Sequence, residues 1–323
     1  MSETRRSLLQ KAALTLALPT SMAWAQPSPV RIEVGFAAGG TLDVIARRIA
    51  DRLRGKYAET VIVESRIGAG GRIANEAVKN ATPNGSVMVL APSSSIVIFP
   101  HVYKKLAYDP FKDLIAVTPV CSNAQAFVVG PGVPAEIKTL DQFVKWAKVN
   151  KAFYGTPAAG SIMHFQGLVF SQKAGIELTH VPYRGMAAIV PDLLSGTLMS
   201  SMAVLGDLLP HLESGKLRIL AVTSAKRSRF VPTVPTFAEL GMSDVTGVDW
   251  YGLFLPAGTP PEIVKKLHAT TSAAVSDPTF SDSLAQLGFE PYQLPRDEFE
   301  ARIKAETARW GPIVAASGFN PES

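Results

Sequence analysis

Phe36-Ala37-Ala38-Gly39-Gly40-Thr41-Leu42-Asp43 stands between an apolar run, residues 30–35, and an amphipathic stretch, Thr41 to Arg54. A strand that turns on adjacent glycines straight into a helix offers free backbone N–H groups and the positive end of the helix dipole. That combination binds anions without basic side chains. Phe36, Gly39, Gly40 and Thr41 are therefore candidate ligand residues. Asp43 would repel an anion. It fits as a cap in the first helical turn, or as a group that orients a bridging water, and both roles stay open.

Three more turns carry glycine or hydroxyl residues after a predicted strand. The first is Gly68-Ala69-Gly70-Gly71, with Gly70 and Gly71 as candidates. The second is Ser93-Ser94-Ser95, with Ser93 and Ser94. The third is "TPAAGSIMH", with Thr156, Ser161 and, one helical turn on, His164. Such turns fall at the carboxyl ends of parallel strands, so they can share one surface. Arg184 in "VPYRG" adds a cation suited to a bidentate carboxylate contact, or to an ordinary surface salt bridge. His164 reads equally as a cleft residue or a packed one.

The elements that must position these turns alternate. Strand patterns at "PVRIEVGF", "ETVIVESR" and "SVMVLAP" are separated by helical ones, which predicts a parallel sheet with crossover helices. A second cycle follows: "TLDQFVKWAKVN", "AFYGTP", "SIMHFQGLVFSQKAG", "LTHVPY", "GMAAIVPDLLSG", "LMSSMAV", "LGDLLPHLESG" and "LRILAVTS". Pro191 should kink or restart its helix. The C-terminal quarter reads as helical, with Thr259 as an N-cap and Pro260 at the first helical position. The chain is expected to cross between two α/β units near 114–129 and again near 245–255. This predicts a discontinuous first domain, residues 26–124 plus 230–323, and an inserted second domain, residues 125–229. A cleft between hinged domains is a usual ligand site.

Residues 1–25 read as a secretory signal: Arg5 and Arg6, the apolar run Leu8 to Leu18, and Ala23-Trp24-Ala25 before the cleavage point. "TRRSLLQ" also resembles the twin-arginine signal. No later apolar run approaches the roughly 18 residues of a membrane helix, so the mature chain is expected to be soluble. The 323 residues carry 32 Lys and Arg against 27 Asp and Glu, a net +5. Removing Arg5, Arg6, Lys11 and Glu3 lowers the charge by 2. That balance, with its one dense basic cluster at "KRSR" (226–229), argues against nucleic-acid binding. The single cysteine, Cys121, excludes an internal disulfide and is expected to be buried in "IAVTPVCSNAQAFVV".

The catalytic inventory is thin. Neither a G-x-S-x-G elbow, nor a G-x-x-x-x-G-K-[ST] loop, nor a G-x-G-x-x-G fingerprint, nor an H-E-x-x-H pair occurs. Ser161 with His164 is the only nearby nucleophile–base pair, and it would make an exported hydrolase the minor alternative. No cofactor and no metal is expected.

The sequence resembles the Bug-type extracytoplasmic solute receptors of tripartite tricarboxylate transporters. The likeness rests on "F-x-x-G-G-x-x-D" at 36–43, "VIVESRIGAGG" at 61–71, "YGTPAAGSIMHF" at 154–165, "THVPYRG" at 179–185, "GKLRILAVTSAKRS" at 215–228 and "WYGLFLPAGTP" at 250–260. The resemblance implies a two-domain periplasmic-binding-protein fold (type II) with a closing cleft. It implies a monomer in the periplasm that grips a small organic carboxylate through the two turns of its first domain and hands it to a membrane permease. A sensor role beside a two-component kinase is the alternative within the same fold. Members of the family often carry a small or hydroxyl residue where this chain has Leu42. They also tend to carry Asp or Asn near Met202-Ala203-Val204-Leu205. Both departures are expected to make the cleft more apolar, which favours a monocarboxylate or aromatic acid over citrate.

Overall fold

The computed structural model describes residues 29–321; the expected signal peptide and its cleavage point after Ala25 lie outside the described residues. The first cycle runs β1 (Val30–Val34), α1 (Thr41–Leu53), β2 (Val61–Ser65), α2 (Arg72–Lys79) and β3 (Val87–Pro92). A π-helical turn (Ser94–Ile98) leads into the short α3 (Phe99–Val102). β4 (Leu114–Val129) then runs for 16 residues. The second cycle comprises α4 (Leu140–Ala147), β5 (Ala152–Thr156), α5 (Ile162–Ala174), β6 (Leu178–Pro182), α6 (Met186–Ser195), β7 (Ser200–Val204), α7 (Leu205–Leu212) and β8 (Arg218–Val222). The chain ends with β9 (Val248–Pro256), α8 (Pro261–Val275), α9 (Pro278–Ala285), β10 (Glu290–Pro291) and α10 (Arg296–Ser317).

β4 is the seam of the molecule. Its first part, Leu114 to Ala124, pairs antiparallel with β9, and β9 in turn pairs antiparallel with β3. Its last residues, Gln125 to Val129, pair instead with β7 and β8. The strand order is β2-β1-β3-β9-β4 on one side and β4-β7-β5-β6 on the other. Within each half, β1, β2 and β3 are mutually parallel, as are β5, β6 and β7. Each half is thus an α/β lobe, and β4 belongs to both. The sequence from 230 to 247 stays with the second lobe: Thr236 bridges to Val222, and the Phe237 ring lies 5.5 Å from that of Phe170.

Local sequence explains the elements. In α1 the apolar residues at 42, 45, 46, 49, 50 and 53 form one stripe at helical spacing and are buried, while Val44 beside them is half-buried. Truncating Leu53, wholly buried, to alanine would cost about 2–5 kcal/mol. β3 is buried along its whole length, as a strand covered on both faces must be. α4 begins with a complete capping box, Thr139 with Gln142. Gly175 closes α5 at φ +61°, a left-handed cap that glycine adopts without strain. α6 continues across Pro191 as one helix, so the proline does not restart it. α8 begins one residue later than expected, at Pro261: the Thr259 hydroxyl donates back to the Pro256 carbonyl, and Pro260 holds the N-cap place. Ser94 and Ser95, expected in a loop, lie in the π turn. Cys121 is fully buried, and burial pushes its thiol well up. No helix among the described residues is long and apolar enough to cross a membrane.

Candidate functional site

Because β1 and β2 run parallel with Val34 opposite Ser65, the turns that follow them emerge side by side. They touch: a Cβ on Gly35 would fall inside the van der Waals shell of the Gly71 Cα. Gly39, Gly70 and Gly71 all have positive φ, at +80°, +67° and +93°. The Phe36 ring, partly exposed, lies over Gly71, and Phe99 from the third turn lies over Gly70. The opening turn, residues 36–40, is exposed to solvent.

α1 starts from Gly40 without a side-chain cap. Its first intrahelical bond is Val44 N–H to Gly40 O, so the amides of Thr41, Leu42 and Asp43 have no acceptor among the described residues. Asp43 does not fill that role from within. Its Oδ2 accepts from Gly39 N–H at 2.9 Å and from Arg47 Nε at 2.8 Å. Burial raises the Asp43 carboxyl, but the bonds from Arg47 and Gly39 outweigh it and hold it below the usual range. Asp43 is therefore an ionised clamp on the back of the turn. Leu42, expected to line the cleft, packs into the core at 6% exposure, and Met202, Ala203 and Leu205 are fully buried. Those four side chains therefore say nothing about the ligand.

The serine turn divides its work. Ser93 is fully buried, and its hydroxyl and amide both donate to Asp249 Oδ1, at 2.5 and 3.2 Å. Burial pushes Asp249 up to about 6, against those two bonds. The Tyr251 hydroxyl also reaches Asp249. The Ser94 hydroxyl instead accepts from the Ile162 amide, the first N–H of α5 in the other lobe, at 3.1 Å.

In the second lobe, β5 leads into the turn of Thr156, Gly160 and Ser161. Ser161 is the N-cap of α5, accepting from His164 N at 3.4 Å and donating to Ala158 O at 2.7 Å. His164 Nδ1 accepts from Gly160 N–H at 3.1 Å. The Ser161 hydroxyl and the His164 ring are thus each committed to backbone groups, and the pair does not form a nucleophile–base dyad. The His164 ring stacks on His180 at 3.9 Å and meets the edge of Phe319 at 4.8 Å. Burial, with a smaller contribution from His180, pushes His164 down to about 3; burial alone pushes His180 to about 4. The Thr156 hydroxyl sits 2.7 Å from His180 Nε2. Arg184 follows β6, and its loop is tied to the Thr156 turn by Tyr183 N–H to Thr156 O and Gly185 N–H to Pro157 O. Arg184 itself is exposed and joins no ion pair among the described residues.

All four turns therefore gather where the carboxyl ends of the two parallel sheets face each other. Sequence reasoning missed two carboxylates there. Asp249 carried a signal, a lone acid in the apolar strand "VDWYGLFLP". Asp207 lies in the first turn of α7, where an acidic residue is ordinary and gives no signal. Burial raises the Asp207 carboxyl, against a smaller lowering from Thr41 at the start of α1. Two surface grooves, of about 250 Å³ beside Phe111, Arg296 and Lys304 and about 410 Å³ beside Arg52 and Phe280, include none of these residues.

Known proteins share this architecture. An R. palustris protein solved with adipate superposes at a TM-score of 0.81, with 30% identity over 90% of this chain and 97% of its own. The periplasmic binding protein BugD superposes at 0.79, with 29% identity over 91% and 99%. MatC from Rhodopseudomonas palustris, solved with bound malate, superposes at 0.78, with 25% identity over 88% and 98%. Among sequences, the UPF0065 protein from the gbd 5' region of Cupriavidus necator is 33% identical over 92% of this chain and 90% of its own. BugT of Bordetella pertussis is 29% identical over 95% and 94%. The fold is thus the expected two-domain periplasmic-binding-protein fold with a central cleft. Residues 45–319 match the tripartite tricarboxylate transporter family receptor, and the chain belongs to that family of periplasmic, Bug-type solute-binding receptors.

Proposed function

We propose that this protein captures a small organic carboxylate between its lobes and delivers it to the membrane subunits of a tripartite tricarboxylate transporter. The observation that carries this reading is the uncapped start of α1: three amides without acceptors, beside two glycine turns in contact. A carboxylate satisfies those N–H groups and complements the helix dipole. The adipate and malate bound by two relatives support the ligand class.

In this reading Phe36, Gly39, Gly40, Thr41, Gly70 and Gly71 form the first-lobe grip. Thr156, Ser161, His164 and Arg184 present the second-lobe wall, and Ser94 joins the two. Ser93 and Asp43 hold their turns in shape. The first domain comprises residues 26–124 and the C-terminal part from β9 onward; the second begins at 125 and keeps residues 230–247, which pack on it. The protein works as a periplasmic monomer, exported by its N-terminal signal through the twin-arginine route.

The test is a thermal-shift screen of the purified mature chain against mono-, di- and tricarboxylates. A ligand that binds only the native state raises Tm by mass action. The expected result is a shift with one acid class, lost in Gly40→Val. No shift with any acid would overturn the carboxylate reading.

A further inference from the structure

Of the seven large apolar side chains exposed among the described residues, three stand on the two glycine turns in contact: Phe36 at 37%, Ile67 at 64% and Ile73 at 45%. Ile67 directly precedes Gly68. The Ile73 side chain, from the first turn of α2, folds back over Gly68, where a Cβ would meet it at 2.6 Å, and the Phe36 ring lies over Gly71. Ala37, Ala38 and Ala69 on the same turns are exposed as well. A single exposed isoleucine is ordinary, but an apolar set gathered on adjoining turns and rimmed by polar groups marks an interaction surface. Neither Ile67 nor Ile73 is spent on the core.

This lip has a basic flank. Phe99 lies over Gly70 and meets the edge of Tyr103 at 5.1 Å, and the Arg72 guanidinium sits 3.7 Å from the centre of the Tyr103 ring. Lys104 and Lys105 follow Tyr103, and both are exposed. Arg72 Nε donates to the Ala69 carbonyl at 2.9 Å, which fixes the guanidinium beside the turn. Arg72, Lys104 and Lys105 join no ion pair among the described residues, and Glu76, one turn further along α2, forms none with Arg72. Arg66, next to Ile67, differs: Glu33 and Glu64 neutralise it.

An apolar lip beside three unpaired cations complements a partner that carries apolar side chains between carboxylates. The lip adjoins the α1 amides that hold the ligand in the reading above, on which this inference rests. Whatever covers it therefore stands where the ligand leaves. A lipid bilayer does not suit that place, because a carboxylate released into hydrocarbon finds no polar partner. We propose that Ile67 and Ile73, with their flank of Arg72, Lys104 and Lys105, are the surface on which the receptor docks, and that the occupant is an acidic segment with apolar anchors on the periplasmic face of a membrane subunit. The isoleucines supply the contact area. The cations select the sign of the partner and set its orientation.

The experiment is isothermal titration calorimetry of the mature chain with end-blocked peptides that alternate glutamate with leucine, lysine with leucine, or glutamate with serine. The expected result is binding of the glutamate–leucine peptide alone, weakened by salt. Replacing Ile67→Ser and Ile73→Ser together should weaken it by about tenfold or more. Replacing Lys104→Glu and Lys105→Glu together should turn the preference toward the lysine–leucine peptide. Both double variants should keep the thermal-shift response to carboxylic acids, which shows that they fold and that the cleft is intact. Gly40→Val, which closes the ligand site, should leave peptide binding unchanged. Loss of peptide binding in Gly40→Val would place the peptide in the cleft and overturn the inference. So would equal binding of the glutamate and lysine peptides, no binding of any peptide, or binding to vesicles of phosphatidylcholine and phosphatidylglycerol with none to the peptides, the last assigning the lip to a lipid surface. Each of these leaves the carboxylate reading standing. Peptide binding at the lip with no response in the acid screen would overturn the carboxylate reading and leave the docking surface.

Discussion

The Ser94 hydroxyl of the first lobe accepts a hydrogen bond from the Ile162 amide of the second at 3.1 Å, so the serine caps α5 from across the cleft. Both groups are buried. Ser161, the N-cap in sequence, serves the His164 amide, and Ser94 serves the helix's first N–H. The first turn of α5 is therefore completed only when the lobes meet. Phe319 against the His164 ring joins the same lobes at another point.

Ser94→Ala removes the acceptor and leaves a buried amide without a partner, which costs about 1–3 kcal/mol. Because the loss falls on the closed arrangement, the expected outcome is a shift toward an open one. Small-angle scattering of the unliganded variant should give a larger radius of gyration than the wild type. An unchanged radius would mean that the other cross-lobe contacts hold closure without Ser94.

Gly35→Ala places a methyl group against the Gly71 Cα, with backbone on both sides and no flexible side chain to give way. The two glycine turns must separate, at a cost of about 1–3 kcal/mol for overpacking. Ligand response in thermal shift should be lost along with several degrees of Tm. Gly55→Ala is the control. It sits at φ +73° with nothing near its would-be Cβ, so its backbone strain should lower Tm while leaving the ligand response intact.

The strands, helices and glycine turns were legible because each rests on local pattern: the stripe in α1, the buried run of β3, the glycines at positive φ. The long strand 114–129 also showed itself as a single apolar run, and its change of partners at 124/125 accounts for the two lobes. What the pattern could not show was which hydroxyl faces which neighbour. Ser93 and Ser94 are adjacent and identical in type, yet one is spent on Asp249 from β9, more than 150 residues away in sequence, and the other on α5. Leu42 misled for the same reason. Its departure from the family pattern suggested a more apolar cleft, whereas helical periodicity put the side chain in the core with Ile45 and Ile49.

Asp249 gives stability a pH dependence of unusual sign for a carboxylate. Its folded value, about 6, lies above the 3.8 of an unperturbed aspartate, because burial outweighs the Ser93 hydrogen bonds and Glu306 adds like charge. The native state then binds the proton more tightly than the unfolded chain. Its stabilising effect is complete below about pH 3.8 and is lost as pH rises through about 6. At pH 7.5 the ionised group opposes folding by an amount of order 2–3 kcal/mol. Asp249→Asn keeps an acceptor for Ser93 and loses the charge. It should raise Tm at pH 7.5 and change it little at pH 4.5; an equal shift at both would count against the assignment.

His164 and His180 act in the opposite direction. Their folded values, about 3 and about 4, lie below the 6.5 of a free imidazole, so folding favours the neutral rings. Their contribution is fully present above about pH 6.5 and is lost as pH falls through about 4 and then about 3. The cause is structural: the stacked rings lie 3.9 Å apart, and Gly160 N–H donates to His164 Nδ1, which must be unprotonated to accept it. Protonation would break that bond and set two cations face to face, at the point where Phe319 holds the C-terminal segment to α5. Between pH 6.5 and 4.5 the Asp249 and histidine effects partly cancel in the wild type, so the Asp249→Asn background isolates the rings. In that background the urea midpoint should fall steadily from pH 6.5 to 4.5. Adding His164→Gln and His180→Gln together should flatten the slope, whatever the change in absolute stability. A slope that survives the double replacement would assign the acid sensitivity to other groups and leave the histidine pair as packing alone.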